Sequence, residues 1–223
     1  ISYVLTESKS TTSNNENSIH RVDVNFIGTS MSAKVISSKS IPGHINYFSR
    51  KNFTDIGISG LQRFKEIIYK NIYPMIDVSY KGASKKGLKY DIIVHPGGNP
   101  SMIKQVWDGI SDMRLENNGT LIAETPIKEL NEYLPRVYQE INGTTIDIKA
   151  KYKISKQSSS SFEVTLSLGK YNKNYDLIID PWVTYQGGSG DELSPVIAVD
   201  KNNNVLVVGT TGSSDFPITP GLI

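Results

Sequence analysis

The chain has 223 residues, a formal net charge of +2, 38% apolar and 21% charged residues. A chain of this size buries roughly 70% of its unfolded surface, and its near-balanced charge excludes a nucleic-acid binder that works by bulk basicity. Cysteine is absent, which excludes disulfides, thiolate metal sites and cysteine nucleophiles, and no apolar run approaches the roughly 18 residues of a membrane-spanning helix.

The chain opens at Ile1 rather than Met and stops at Ile223, shortly after Pro220. Both ends read as cuts inside a longer protein. Residues 9–18 are rich in Ser, Thr and Asn and are expected to form a loop. Val22, Val24 and Phe26 alternate with Asp23 and Asn25, the period of a strand. Ile41-Pro42-Gly43 is a turn signal before a short aromatic run at Tyr47 and Phe48. Leu61, Phe64, Ile67 and Ile68 fit one face of a helix. The same residues, extended, would run on through Ile72 to Tyr80 as a strand. Density of Ile, Tyr and Val favours the strand.

Residues 91–94 carry the apolar, β-branched run Ile92-Ile93-Val94, and His95-Pro96-Gly97-Gly98-Asn99-Pro100 stops it. Residues 113–116 and 121–124 read as a hairpin around Asn117-Asn118-Gly119. A second Asn-Gly, Asn142-Gly143, separates residues 137–141 from a return strand over 145–153. Asn-Gly is favoured there because both residues tolerate positive φ. A polar turn at 158–161 precedes the clean alternation of Phe162, Val164, Leu166 and Leu168. Strand signals recur about every 10 to 12 residues, as in an all-β sandwich or barrel. A boundary falls near Asp180-Pro181-Trp182, dividing residues 1–183 from 184–223. Beyond it, two short apolar strands, 196–199 and 205–208, flank a polar turn at 200–204. Apolarity on both faces suits a propeller blade.

The stretch GGSGDELSPVIAVDKNNNVLVVGTTGSSDFPITPG, residues 187–221, resembles one SBBP repeat, a bacterial β-propeller repeat. The stretches HRVDVNFIGTSMSAKVI, IPGHINYF, IYKNIYPMIDVSYKG, LKYDIIVHPGGNPSMI, LPRVYQEINGT and LIIDPWVTYQGGSGDE resemble the uncharacterised domain that often precedes such repeats. The resemblance implies a secreted or cell-surface bacterial protein, rich in β structure, with several repeats. It supplies no catalytic residues, and it tips residues 61–80 toward strand. A single blade-like unit departs from the pattern, because stacked repeats bury their faces only against neighbours.

Candidate chemistry is sparse. His20, His44 and His95 share no metal spacing, and His95 reads as a turn residue at a strand end. Asp200-Lys201-Asn202-Asn203-Asn204 has oxygen side chains but lacks the Gly and Glu of a calcium loop. Gly187-Gly188-Ser189-Gly190-Asp191 lacks the Lys-Ser/Thr pair of a phosphate loop. Asp77, Asp91, Glu124 and Glu140 are scattered carboxylates, and Glu116 and Glu124 flank one hairpin. Asn52, Asn118 and Asn142 match glycosylation sequons, but the last two coincide with turns. Lys81, Lys85, Lys86 and Lys89 read as a solvated loop.

Twelve Tyr and two Trp leave aromatics to spare for stacking on sugar rings. Tyr47, Tyr80, Tyr171, Tyr175, Trp107 and Trp182 form that pool, with Trp182, Tyr171, Tyr175 and Trp107 the candidate ligand or partner contacts. Core and cross-strand pairing is the competing reading.

The expectation is an all-β protein: an antiparallel sandwich-like domain followed by a partial β-propeller blade. The expected role is a non-enzymatic, secreted or cell-surface structural or adhesive module that self-assembles by strand pairing. Alternatives are a carbohydrate-binding module of a larger surface protein and a non-catalytic part of a secreted enzyme. The expected partners are further copies of itself or surface glycans, with no nucleic acid, membrane span, cofactor or metal.

Overall fold

A computed structural model describes residues 2–11, 14–51, 54–81, 89–180, 192–199 and 205–211. Every strand pairing among them is antiparallel. Strands β1 (Ser2–Thr11) and β2 (Asn14–Phe26) form a long hairpin with unbroken register from Ser2↔Asp23 to Thr11↔Asn14. The loop expected over residues 9–18 is therefore mostly strand. Composition reports on side chains, whereas the ladder is made by backbone groups, which polar residues supply equally well.

Strands β3 (Lys34–Lys51) and β4 (Thr54–Tyr73) form a second long ribbon. The expected turn at Pro42-Gly43 lies inside β3, at a register shift between Ile41 and His44. β3 pairs only with β4 among the described residues. An edge strand tolerates Pro, whose missing N–H faces away from the ladder, and a bulge absorbs the residue in excess. The ambiguous segment 61–80 is extended, as favoured, but broken by a turn at Pro74-Met75 before β5 (Ile76–Lys81).

β6 (Lys89–Val94) follows and stops where His95-Pro96-Gly97 turns. Asn99 caps a short 3-10 turn, Pro100–Met102, with its side-chain oxygen accepting from Ser101 N. Then come β7 (Gln105–Asp108), β8 (Asp112–Leu115), β9 (Leu121–Glu124), β10 (Leu130–Glu132), β11 (Arg136–Ile141), β12 (Thr144–Ile148), β13 (Ala150–Lys156), β14 (Ser161–Leu168) and β15 (Leu177–Asp180). The Asn142-Gly143 turn joins β11 to β12 with positive φ at both residues, 50° and 78°, as its sequence required. The return strand expected over 145–153 is two strands. Ile148 pairs with Val137, whereas Ala150 pairs with Leu168 in a different sheet. The last pair is β16 (Glu192–Val199) and β17 (Val205–Thr211).

Among the described residues three sheets form: β1-β2-β7-β14-β13, β10-β9-β8, and a large one ordered β12-β11-β15-β6-β5-β4-β16-β17 with β3 on the other edge of β4. Their faces bury two apolar clusters. Val22, Val24, Trp107, Met113, Leu121, Phe162 and Val164 fill one, between the first two sheets. Tyr73, Ile76, Val78, Tyr90, Ile92, Leu177 and Ile179 fill the other, on the large sheet. Leu166 packs against both. Fully burying one such side chain contributes roughly 1.5–3 kcal/mol, so these clusters hold the layers together. The chain is thus an antiparallel, layered all-β protein ending in a two-stranded blade-like segment.

Candidate functional site

β5, β6 and β15 lie side by side, and their register builds the site. Ile76 is opposite Val94, Asp77 opposite Ile93, and Leu177 opposite Val94. His95, one residue past β6, therefore sits between Asp77 on one neighbour and Asp176, one residue before β15, on the other. Its Nε2 donates to Asp77 Oδ2 at 2.8 Å and its Nδ1 donates to Asp176 Oδ1 at 3.0 Å. Two carboxylate acceptors favour a proton on each ring nitrogen, and hence the imidazolium form. Half-burial pulls its pKa down, but the bonds to Asp77 and Asp176 outweigh that and raise it above its ordinary value.

Asp77 is 1% exposed. Burial alone would push its pKa up. His95, Lys70 Nζ at 2.5 Å and the Asn71 backbone N–H at 2.8 Å all donate to it, and the net shift is downward. Asn71 reaches it because β4 breaks register between Tyr69 and Tyr73, with Asn71 at φ 53°. Met75, also at positive φ, accepts from His95 N.

Beside His95 opens a groove of about 350 Å³. One wall is the 95–100 turn, with Gly97, Gly98 and Asn99. The other is the loop between β14 and β15, with Tyr171, Lys173 and Tyr175. Gly98 is required: a Cβ there would lie 2.7 Å from Met75 O and 2.9 Å from Val94 Cγ1. The second wall is pinned by Gln139, buried on β11. Its Oε1 accepts from Asn172 N at 2.8 Å, and its Nε2 donates to Asn172 O at 2.8 Å and Tyr175 O at 3.2 Å.

Of the four contacts expected from sequence, Tyr171 and Tyr175 meet on this groove. Tyr171 is half-buried against the second cluster and Tyr175 is exposed. Trp107 is corrected: it is 2% exposed and belongs to the first core cluster, so no ligand reaches it. Its alternating neighbours put it on the inner face of β7. Trp182 lies outside the described residues, as do the Gly187–Asp191 and 200–204 loops, Asn52 and most of the lysine loop. Lys81 pairs with Asp91. Tyr80 packs edge-on to Tyr69 and against Tyr90. Glu124 bonds Arg114, which also holds Glu129. His20 donates to Gly109 O and His44 is exposed. Among the described residues no cluster of His, Asp and Glu fits a metal ion.

Sequence reasoning did not single out Gln139, Lys70, Asp176 or Glu132. A lone Asp in the apolar run Ile76-Asp77-Val78 was the one local signal, since a buried carboxylate demands donors. Glu132 is 2% exposed, and burial pushes its carboxyl up to about 7 although the Tyr152 hydroxyl, donating at 2.8 Å, works the other way. It lines a cavity of about 20 Å³ between the two apolar clusters, with Tyr90, Gln105 and Tyr152. That space suits roughly one ordered water.

Fold and site define a layered antiparallel β protein with a pinned surface groove and a terminal blade-like hairpin. Residues 2–182 match the family described as a domain of unknown function, DUF7948, and residues 182–217 match the SBBP β-propeller repeat. The chain belongs to the DUF7948 family and carries an SBBP repeat directly after that domain. Neither description names an enzymatic activity. No curated protein and no solved structure matches the chain.

Proposed function

We propose that this chain is a non-enzymatic structural or adhesive module of a secreted or cell-surface protein, and that it assembles by strand pairing. The observation that carries this reading is the join between the two family regions. β16 of the repeat pairs with β4 of the preceding domain at Ile197↔Phe64, so the repeat hairpin extends the domain's own sheet. β17 is the outer strand of that extension and pairs only with β16 among the described residues. Its sequence, VLVVGTT, has neither the Lys nor the Pro that blunts a sheet edge. An outer strand of this kind offers a row of backbone donors and acceptors to a further strand. The occupant is the same edge of a second copy of this chain.

Light scattering behind size exclusion, over a wide concentration range, tests this. The chain should form a fixed oligomer or polymers. Alternate residues of β17 turn their N–H toward β16 or toward the open edge. One of Leu206→Pro and Val207→Pro should therefore leave the melting temperature nearly unchanged while abolishing assembly. A monomer at every concentration overturns the reading.

A further inference from the structure

We propose that the groove between the 95–100 turn and the loop carrying Tyr171, Lys173 and Tyr175 is a binding site for an acidic saccharide of the uronic-acid type. Three features of the groove converge on that chemistry.

The first is its aromatic lining. Tyr171 and Tyr175 both border the groove, and tyrosine rings offer an apolar face to a sugar while the hydroxyl stays wet. A volume of about 350 Å³ falls in the range of small-ligand sites.

The second is its charge. The carboxylates nearest the groove are already engaged: Asp77 by Lys70, His95 and the Asn71 N–H, and Asp176 by His95. Lys173 has no carboxylate partner among the described residues. Asn99 spends its side-chain oxygen on Ser101, which leaves its amide N–H groups for an acceptor. The groove thus presents the Lys173 ammonium and the Asn99 amide donors, while both ring nitrogens of His95 and the negative charge of Asp77 and Asp176 are consumed within the wall. Donors meeting ring faces match a ligand that carries hydroxyls, an apolar ring face and a carboxylate together. An acidic peptide would use the Lys173 ammonium but would leave the tyrosine faces idle.

The third is preorganisation. Gln139 makes bidentate contact with Asn172 and also holds Tyr175 O, while Asn172 Oδ1 accepts from Asn174 N at 3.0 Å. The His95–Asp176 bond ties this loop to the opposite wall. A loop fixed at both ends loses little freedom on binding, which is where weak sugar sites otherwise lose affinity.

The test is calorimetric titration of the whole chain with a galacturonic acid trimer, the matching neutral galactose trimer, and a glutamate tripeptide. The acidic trimer should bind saturably, at least about tenfold tighter than the neutral one, a difference of one good charged contact. Tyr175→Ala should weaken both sugars by about tenfold or more. Lys173→Ala should remove the preference for the acidic trimer while the neutral trimer binds as before. Both positions are exposed, and an unchanged melting temperature verifies that each variant is folded. Four results overturn the proposal: no saturation with either sugar at millimolar concentration, equal affinity for the two, indifference to both substitutions, or a tripeptide that binds as tightly as the acidic sugar.

Discussion

Asp77 and Glu132 are both carboxyls buried to within 2% of full enclosure, yet they are driven in opposite directions. Asp77 lies behind His95 of the groove wall, where the bulge in β4 and the end of β6 bring it an ammonium, an imidazole N–H and a backbone N–H. Its charge is favoured. Glu132 lies between the apolar clusters, where among the described residues no Lys or Arg pairs with it and the Tyr152 hydroxyl is its side-chain donor. Its neutral form is favoured up to about pH 7. Burial sets the size of the stake, and the donors within reach decide the protonation state. The groove region is an electrostatic assembly, and the interior cavity is a place where a proton substitutes for a partner.

The largest expected effect breaks the first half of that contrast. Asp77→Ala removes the acceptor of three donors and leaves Lys70 and His95 facing each other. It should cost about 3 kcal/mol, the lower end for breaking a buried charged pair, read by urea denaturation at neutral pH. A cost below about 1 kcal/mol would mean that Lys70 and His95 are satisfied by solvent.

Glu132→Gln acts in the opposite sense. The native carboxyl holds its proton up to about 7, against an unfolded value of 4.5. The native state therefore binds more protons than the unfolded chain between those limits, and wild-type stability falls as pH rises through them. Glutamine keeps an oxygen for Tyr152 and does not titrate. The variant should match the wild type near pH 4 and exceed it by on the order of 2–3 kcal/mol at pH 8. A variant less stable at every pH would show that the cavity needs a carboxyl for another reason.

Much of this fold was legible because its turns are written in the chain. Asn142-Gly143, residues 158–161 and His95-Pro96-Gly97 each end a strand where their chemistry says. What was not legible is the choice of partner. Alternation runs unbroken from Ile146 through Ile148 to Ala150, yet Ile148 and Ala150 pair in different sheets. Period two records that a residue is extended and says nothing of which strand lies beside it. Pro42-Gly43 misleads for a related reason, since an edge position tolerates residues that a central one rejects. The site follows the same rule. Tyr171 and Tyr175 were visible as surplus aromatics. Asp77 and Asp176 meet at His95 only through the register of three strands. Trp107 was misplaced because an aromatic's identity does not reveal which face of its strand is inward.

Gly98→Ala probes the groove wall with a smaller effect. The added Cβ must displace Met75 O or the 95–100 turn, since both lie within 3.0 Å. Overpacking of this kind costs about 1–2 kcal/mol. Because the strain falls on the wall itself, amide resonances of the 95–100 turn should shift while those around Glu132 stay in place. Shifts at both sites would mean that the two regions are coupled rather than independent.

The smallest effect is also the sharpest on charge. His95→Gln replaces an imidazolium bridging two carboxylates with a neutral amide. The raised native pKa means that the bridge contributes fully below the unfolded value of 6.5 and is lost as pH rises through the native value. The wild type should lead the variant by about 1 kcal/mol at pH 6, and the lead should shrink by pH 9. A lead that is constant across that range would place a neutral imidazole between Asp77 and Asp176, which requires one carboxyl to be protonated. Asp77 would then resemble Glu132, and the contrast between the two regions would collapse. The imidazole proton resonances, followed over the same titration, separate the two cases: a protonated ring titrates with a midpoint above 6.5, and a neutral one does not.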